Sequence, residues 1–294
     1  MIDLHAHTSE SDGSLSPVDL IKLAVESGLE ALAITDHDTF AGYDQAVPAA
    51  RESSLELVCG IELSTKHQLQ TVHLLGYFLH GAPTLEFRNW ILKLQESRKE
   101  RNHELLHKLQ SCGFDLNIAE ATSIARSQLG RPHIAELMLA KGYVSSLQHA
   151  FDDYLGENGK CYVARQEPLL TNAVAKIIAA GGIPSLAHPG RISSDLELIE
   201  YIVHQMQQTG LCALEVYHSE HGREQIAVYE SLARELRIGI TGGSDFHGSS
   251  KPGVKLGTGN KGDLSIPISV LYQLRAVHRK YAFPRQEQSP PQQI

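Results

Sequence analysis

Little in this sequence marks it for a membrane, for export or for a broad grip on nucleic acid. No apolar run approaches the roughly 20 residues needed to span a bilayer. Met1 leads straight into a strand-like segment with no signal-peptide pattern, so the cytoplasm is the expected compartment. Four cysteines, Cys59, Cys112, Cys161 and Cys212, stand far apart. Without close pairs they make neither a zinc knuckle nor a redox motif, and reduced, mostly buried thiols are expected. Positive charge is not in excess either: 26 Lys and Arg against 34 Asp and Glu leave a net charge of −8, which allows a local basic pocket at most. No CxxC and no fixed-period repeat occurs. The 42% apolar and 20% charged residues of a 294-residue chain suffice for one sizeable α/β domain or a domain with an insert. The compositional oddity is 16 histidines, and their placement decides what they do.

Strand and helix signals alternate from the start. "IDLHAH" reads as a short strand, and "SPVDLIKLAVESG" as a helix with Ser16 as N-cap, Pro17 as first residue, Asp19 near the positive end of the dipole and Gly28 as the stop. "LEALAIT" is a buried strand, followed by a polar turn, a helix near Asp44 to Ser53 and the strand "LELVCGIEL". This rhythm is that of parallel βα units. "TVHLLGYF" is a further strand. From about Thr84 to Lys160 only helices are indicated, which predicts an insert. The alternation then resumes through "IPSLAHP", "LCALEVYH" and "IGITGGSDFHG" to a last helix near Ile268 to Lys280, and a polar tail over residues 284–294 reads as disordered.

Residues i and i+2 of a strand project to one face, so His5 and His7 point together and can share a metal, with Asp12 in the following loop able to reach back. The same event recurs along the chain: Asp36, His37 and Asp38 after "LAIT", Glu62 closing "LVCGIEL", His73 in "TVHLLGY", His188 closing "IPSLAH", and Asp245 and His247 after "ITGG". The carboxyl ends of strands are where α/β proteins build their sites. Polar groups converging there are costly unless something binds them. Glu215 is either a support for such a site or a polar core residue. His218 and His221 are either rim residues or substrate contacts. His67, His80, His103, His107, His149, His204 and His278 are expected to be solvated or capping, and Lys251, Lys255 and Lys261 to lie on a mobile solvated loop.

In the insert, an apolar stripe at Phe87, Ile91, Leu94, Leu105 and Leu109 turns Arg98 and Arg101 inward. Two inward cations need an anion, either acidic groups of the main domain or a phosphate, which the planar guanidinium suits. Arg131 and His133 precede a helix whose free amides also favour anions.

Taken together, "DLHAHT", Asp12, "TDHD", "GIE", "SLAHP" and "GSDFH" resemble the polymerase and histidinol phosphatase (PHP) family of metal-dependent phosphoesterases, in the family's order and from Met1 to about Gly248. The resemblance implies an α/β fold, a distorted (β/α)7 barrel of residues 1–83 and 161–283 with a small helical insert, residues 84–160, as a substrate lid. It implies three divalent metal ions, manganese first, with iron or zinc as alternatives. His5, His7, Glu62 and Asp245 would hold the first, Asp12, His37 and His247 the second, and Glu62, His73 and His188 the third. A hydroxide held by Asp12, His37, Glu62 and Asp245 would attack phosphorus, so no Ser or Cys nucleophile is required.

"SRKERN" and "GRPH" in the insert are similar to the branch that hydrolyses nucleoside 3′,5′-bisphosphates and trims short RNA from its 5′ end. By that likeness Arg98, Arg101, Asn102, Arg131 and His133 would grip substrate phosphate. The expected partners are therefore a small nucleotide and short single-stranded RNA, with no membrane and no obligate protein partner. A histidinol-phosphate-type phosphatase and a non-catalytic nucleotide-binding or proofreading module are the competing readings.

Overall fold

The structure, a computed structural model, describes residues 1–68, 70–125, 129–164 and 167–282; the polar tail lies outside the described residues. In chain order the elements are β1 (Ile2–Ala6), α1 (Pro17–Glu26), β2 (Ala31–Ile34), α2 (Ala41–Arg51), β3 (Glu56–His67) and β4 (Gln70–Phe78). Four helices follow: α3 (Leu85–Ser111), α4 (Ile118–Ala125), α5 (Arg131–Ala140) and α6 (Leu147–Ala150). The chain ends with α7 (Leu170–Ala179), β5 (Ile183–Leu186), α8 (Leu196–Gln208), β6 (Ala213–His218), α9 (Arg223–Leu236), β7 (Gly239–Gly243) and α10 (Ser269–Ala282).

The seven strands form one sheet in sequence order, and β1 meets β7 to nearly close it into a barrel. At that seam the Asp245 N–H donates to the His5 carbonyl at 2.8 Å, and the His7 N–H to the Phe246 carbonyl at 2.9 Å. Gly243 permits the approach, because a Cβ there would lie 2.3 Å from the His5 nitrogen.

Local signals explain several elements. Ser16 caps α1 by accepting from the Asp19 N–H, and Gly28, at φ 70°, turns the chain out of it while Leu20, Ile21 and Ala24 are buried. Thr84 caps α3 in the same way, accepting from the Phe87 N–H. Helix α2 starts at Ala41, earlier than the expected Asp44, because the turn after β2 is shorter than its polar residues suggest.

The purely parallel reading fails at β4. It pairs antiparallel with both β3 and β5, because β3 and β4 form a hairpin with no helix between them and His67 opposite Gln70. Strand β4 therefore runs against its neighbours, and its beginning, not its end, lies at the mouth.

Helices α7, α8 and α9 pack on one side of the sheet around Ile61, Leu63, Leu74, Ile177, Val203 and Leu214. Helices α1 and α2 cover Ala6, Leu32 and Ile34. The insert helices bury a separate cluster that includes Leu106, Leu116, Ile134, Met138, Leu155 and Cys161. Helix α3 belongs to both: Phe87, Ile91 and Leu94 join the sheet's cluster, whereas Leu105, Leu106 and Leu109 join the insert's. Three of the four cysteines are buried and Cys112 is exposed, with all four unpaired by disulfides.

Candidate metal centre and substrate cleft

Five imidazoles surround the single carboxylate of Glu62. His5 Nε2, His7 Nε2 and His37 Nδ1 stand 3.2, 3.1 and 3.3 Å from Oε2, while His73 Nδ1 and His188 Nε2 stand 2.8 and 2.9 Å from Oε1. On the other side, Asp245 Oδ1 lies 3.4 Å from His5 and 3.3 Å from His7, and Asp12 lies 3.3 Å from His247 Nε2 and 3.7 Å from His37 Nε2. All nine predicted ligand positions thus come together. His73 was expected at the end of a strand; it reaches the mouth from the start of an antiparallel one, opposite Ser64.

The loops that aim these groups are conformationally unusual. Asp38, His188 and Asp245 have φ of 52°, 24° and 56°, a left-handed region that side chains seldom occupy, and each follows the end of a mouth strand.

The donor set fits divalent cations. His7 Nε2, His37 Nδ1 and Asp12 Oδ1 are buried and make no hydrogen bond, although each faces ionisable partners. Ligand atoms of three groups lie within 4.8 Å of one another: His5, His7, Glu62 and Asp245; His7, Asp12, His37 and His247; and His37, Glu62 and His73. The second group draws in His7 beyond its expected set, and the third takes His37 in place of the expected His188. Mixed imidazole and carboxylate donors suit transition metals.

Electrostatics agree. Burial alone would raise the Glu62, Asp12 and Asp245 carboxyls, but the imidazoles around them hold all three well below the usual range. Burial pushes His37 down to about 3 and His188 to about 4. Burial acts the same way on His7, yet the Asp245 and Glu62 carboxylates beside it lift it to about 10.

A supporting layer fixes the ligands. Glu215 places Oε1 2.8 Å from His5 Nδ1 and accepts from the His188 N–H at 2.6 Å. Burial would raise it, but His5 holds it at about 2. This settles its open reading in favour of support. Asp36 ties down the loop carrying Asp12 by accepting from the Thr8 N–H, the Thr8 hydroxyl and the Ser11 hydroxyl. His218 is buried with Nε2 3.5 Å from Asp245 Oδ2, and His221 Nδ1 lies 2.8 Å from the Val216 carbonyl. Lys251, expected on a solvated loop, instead reaches Asp245 Oδ2 at 2.6 Å, and Arg191, which the sequence reading passed over, lies 2.9 Å from the same oxygen. "HPGR" directly after a strand-end histidine was the available signal for Arg191. His278, expected to be solvated or capping, is buried against the Gly181 carbonyl.

Two cavities open from the cluster. The smaller, about 190 Å³, is lined by Asp12, His37 and His73 on one side and by Arg98, Arg101, Arg131 and His133 on the other. The larger, about 420 Å³, shares Asp12, His37, His73 and His133 but runs past Asp245 and His247 to Arg191, Lys251 and Leu147. Asn102 does not line the smaller one; its amide is spent on the Leu129 carbonyl and on Arg101 Nε, and it faces a neighbouring cavity. Arg98 pairs with Asp38 of the main domain, which accounts for part of its inward turn. Arg131 donates to the Leu155 carbonyl at 3.2 Å, and His133 Nδ1 accepts from the Gly130 N–H at 3.1 Å.

A family model described as "PHP domain" matches residues 3–182. The chain belongs to the PHP family. It is 32% identical over 246 residues to a 5′-3′ exoribonuclease of Haemophilus influenzae, covering 83% of this chain and 89% of the relative. It is 30% identical over 261 residues to a 3′,5′-nucleoside bisphosphate phosphatase of Chromobacterium violaceum, covering 87% and 90%. A solved chain from Bifidobacterium adolescentis, provisionally classed as a metal-dependent phosphoesterase, superposes with a TM-score of 0.80 at 29% identity over 94% and 96% of the two chains. This PHP protein is a phosphoesterase, and its His, Asp and Glu clusters fit metal binding. Among the described residues no helix is long and apolar enough to cross a membrane.

Proposed function

We propose that the protein removes the 3′-phosphate of nucleoside 3′,5′-bisphosphates, giving nucleoside 5′-monophosphate and phosphate, and that it releases 5′-mononucleotides from short RNA in the cytoplasm. The observation that carries this reading is the cavity of about 190 Å³ in which the His and carboxylate cluster faces Arg98, Arg101 and Arg131. A ligand with two phosphates satisfies both walls, whereas a simple monophosphate leaves one wall unanswered. The names of the relatives from Haemophilus and Chromobacterium support the same substrate class.

His5, His7, Glu62 and Asp245 would hold one divalent ion, Asp12, His37 and His247 a second, and Glu62, His73 and His188 a third, with manganese the first metal to test. Bound there, such ions supply Lewis acidity, a lowered pKa for coordinated water and neutralisation of charge on phosphoryl oxygens. The protein's own contribution is positional. Glu215 orients His5, Asp36 anchors the loop of Asp12, and the arginines of residues 84–160, acting as a lid, hold the 5′-phosphate so that the 3′-phosphate meets the cluster.

The test is phosphate release, with manganese supplied, from adenosine 3′,5′-bisphosphate compared with histidinol phosphate. A clear preference for the bisphosphate is expected. A preference for histidinol phosphate, or turnover of neither, would remove the reading.

A further inference from the structure

The larger cavity has no assigned occupant, and the chemistry of the proposed reaction supplies one; the inference rests on the reading above. In a bisphosphate, the reacting phosphorus carries its 3′ ester oxygen and three free oxygens. In RNA, one of those three is esterified to the 5′ carbon of the next nucleotide. A centre that accepts both substrates needs a second way out for that extra substituent, distinct from the cavity that takes the 5′-terminal phosphate. We propose that the cavity of about 420 Å³ seats the nucleotide immediately downstream of the scissile phosphodiester in a short single-stranded RNA, with Lys251 and Arg191 as its cationic wall and Leu147 as an apolar face for the base.

Position, charge and size all favour this occupant. Among the described residues the two cavities share Asp12, His37, His73, Pro132 and His133, so a phosphorus at the cluster faces both. Asp245 divides its oxygens: Oδ1 faces His5 and His7, and Oδ2 takes Lys251 and Arg191. Both cationic side chains line the cavity and remain about a third exposed, 33% for Lys251 and 34% for Arg191; Arg191 is also paired with Glu220, so a phosphate oxygen in the cavity competes with carboxylates for them. Leu147 is 41% exposed at the lip, an apolar surface with no protein group covering it fully. The volume lies within the range of sites that enclose small ligands. The reaction balances as a hydrolysis: an oxygen from water bonds to phosphorus, the bond to the 3′ oxygen breaks, that oxygen takes a proton, and the downstream fragment keeps the phosphoryl group as its new 5′-phosphate.

The experiment compares adenosine 3′,5′-bisphosphate with a 5′-phosphorylated adenosine trinucleotide carrying a 3′ fluorophore, on wild type, Lys251→Gln and Leu147→Asp. Binding is read by anisotropy, and by competition for the bisphosphate, on metal-free protein in EDTA; hydrolysis is read separately with manganese. Leu147→Asp, which replaces the apolar face with an anion, is expected to weaken the trinucleotide by about tenfold and to leave the bisphosphate within about twofold. Lys251→Gln, whose partner Asp245 belongs to the cluster, is expected to weaken the trinucleotide at least as much. Equal losses on both ligands in Leu147→Asp, or no loss on either, overturn the proposal. Wild type that hydrolyses the bisphosphate yet neither binds nor cuts the trinucleotide overturns it while leaving the phosphatase reading intact. Failure on both ligands removes the two together.

Discussion

The barrel mouth and the helical insert face one another across the cleft, yet they are built on opposite plans. At the mouth, side chains from four strands and their loops converge on Glu62 of a fifth, and almost every polar atom faces another ionisable group. In the insert, a private apolar cluster sets the shape, and the arginines stand where α3 passes from one core to the other, between Leu94 and Leu105. Arg98 and Arg101 occupy that crossing because it is the stretch of α3 that neither core claims. The mouth is thus organised by charge and the insert by packing, which separates the groups that would perform chemistry from those that would choose the substrate.

Substitutions should fall into two classes if this contrast is real. The largest effect is expected for Glu62→Gln, which removes the carboxylate shared by five imidazoles: activity should drop by on the order of a thousandfold and metal content by elemental analysis should fall, with the circular dichroism spectrum unchanged. Retained metal at full stoichiometry would break the picture of a shared centre. Next is Glu215→Gln, which loosens His5 without touching the cleft; a loss of about 10- to 100-fold in metal affinity is expected, with KM for the bisphosphate steady at saturating metal. Arg131→Ala should do the converse, raising KM for the bisphosphate by about tenfold or more while a monophosphate substrate and the metal content stay as they were. Equal changes for both substrates would erase the division of labour. The smallest effect belongs to Thr84→Ala, which deletes the N-cap of the helix shared by the two cores and should lower unfolding free energy by about 1 kcal/mol, measured by thermal or urea denaturation.

How far the sequence disclosed this arrangement depended on the range of the interactions. His5 and His7 were legible because a strand's two-residue period is local, and Glu62, His188 and Asp245 because strand ends are marked by the glycines and polar turns after them. The antiparallel run of β4 was hidden, since alternation of side chains looks the same in either direction and Gln68 at φ 54° follows no strong hairpin signature. The ion pair Arg98–Asp38 joins a helix of the insert to a loop of the barrel, so nothing in either local stretch announces it. Lys251 is six residues from Asp245 in the same segment and was misjudged for another reason: a glycine-rich neighbourhood reads as solvent-facing, although the short turn at Gly248–Ser250 folds the lysine back onto the carboxylate. Asn102 is a different case: a motif likeness gave it a phosphate, and in the structure its amide is engaged by Leu129 and Arg101.

The seam between β1 and β7 gives the protein a calendar as well as a shape. His5 and His7 are made long before their neighbour across the seam, Asp245, which follows them only after all the intervening strands. A half-made chain therefore carries an open edge and scattered imidazoles in place of a finished cage. The cage is complete only once β7 is in place, because a product cut short before it lacks both Asp245 and His247.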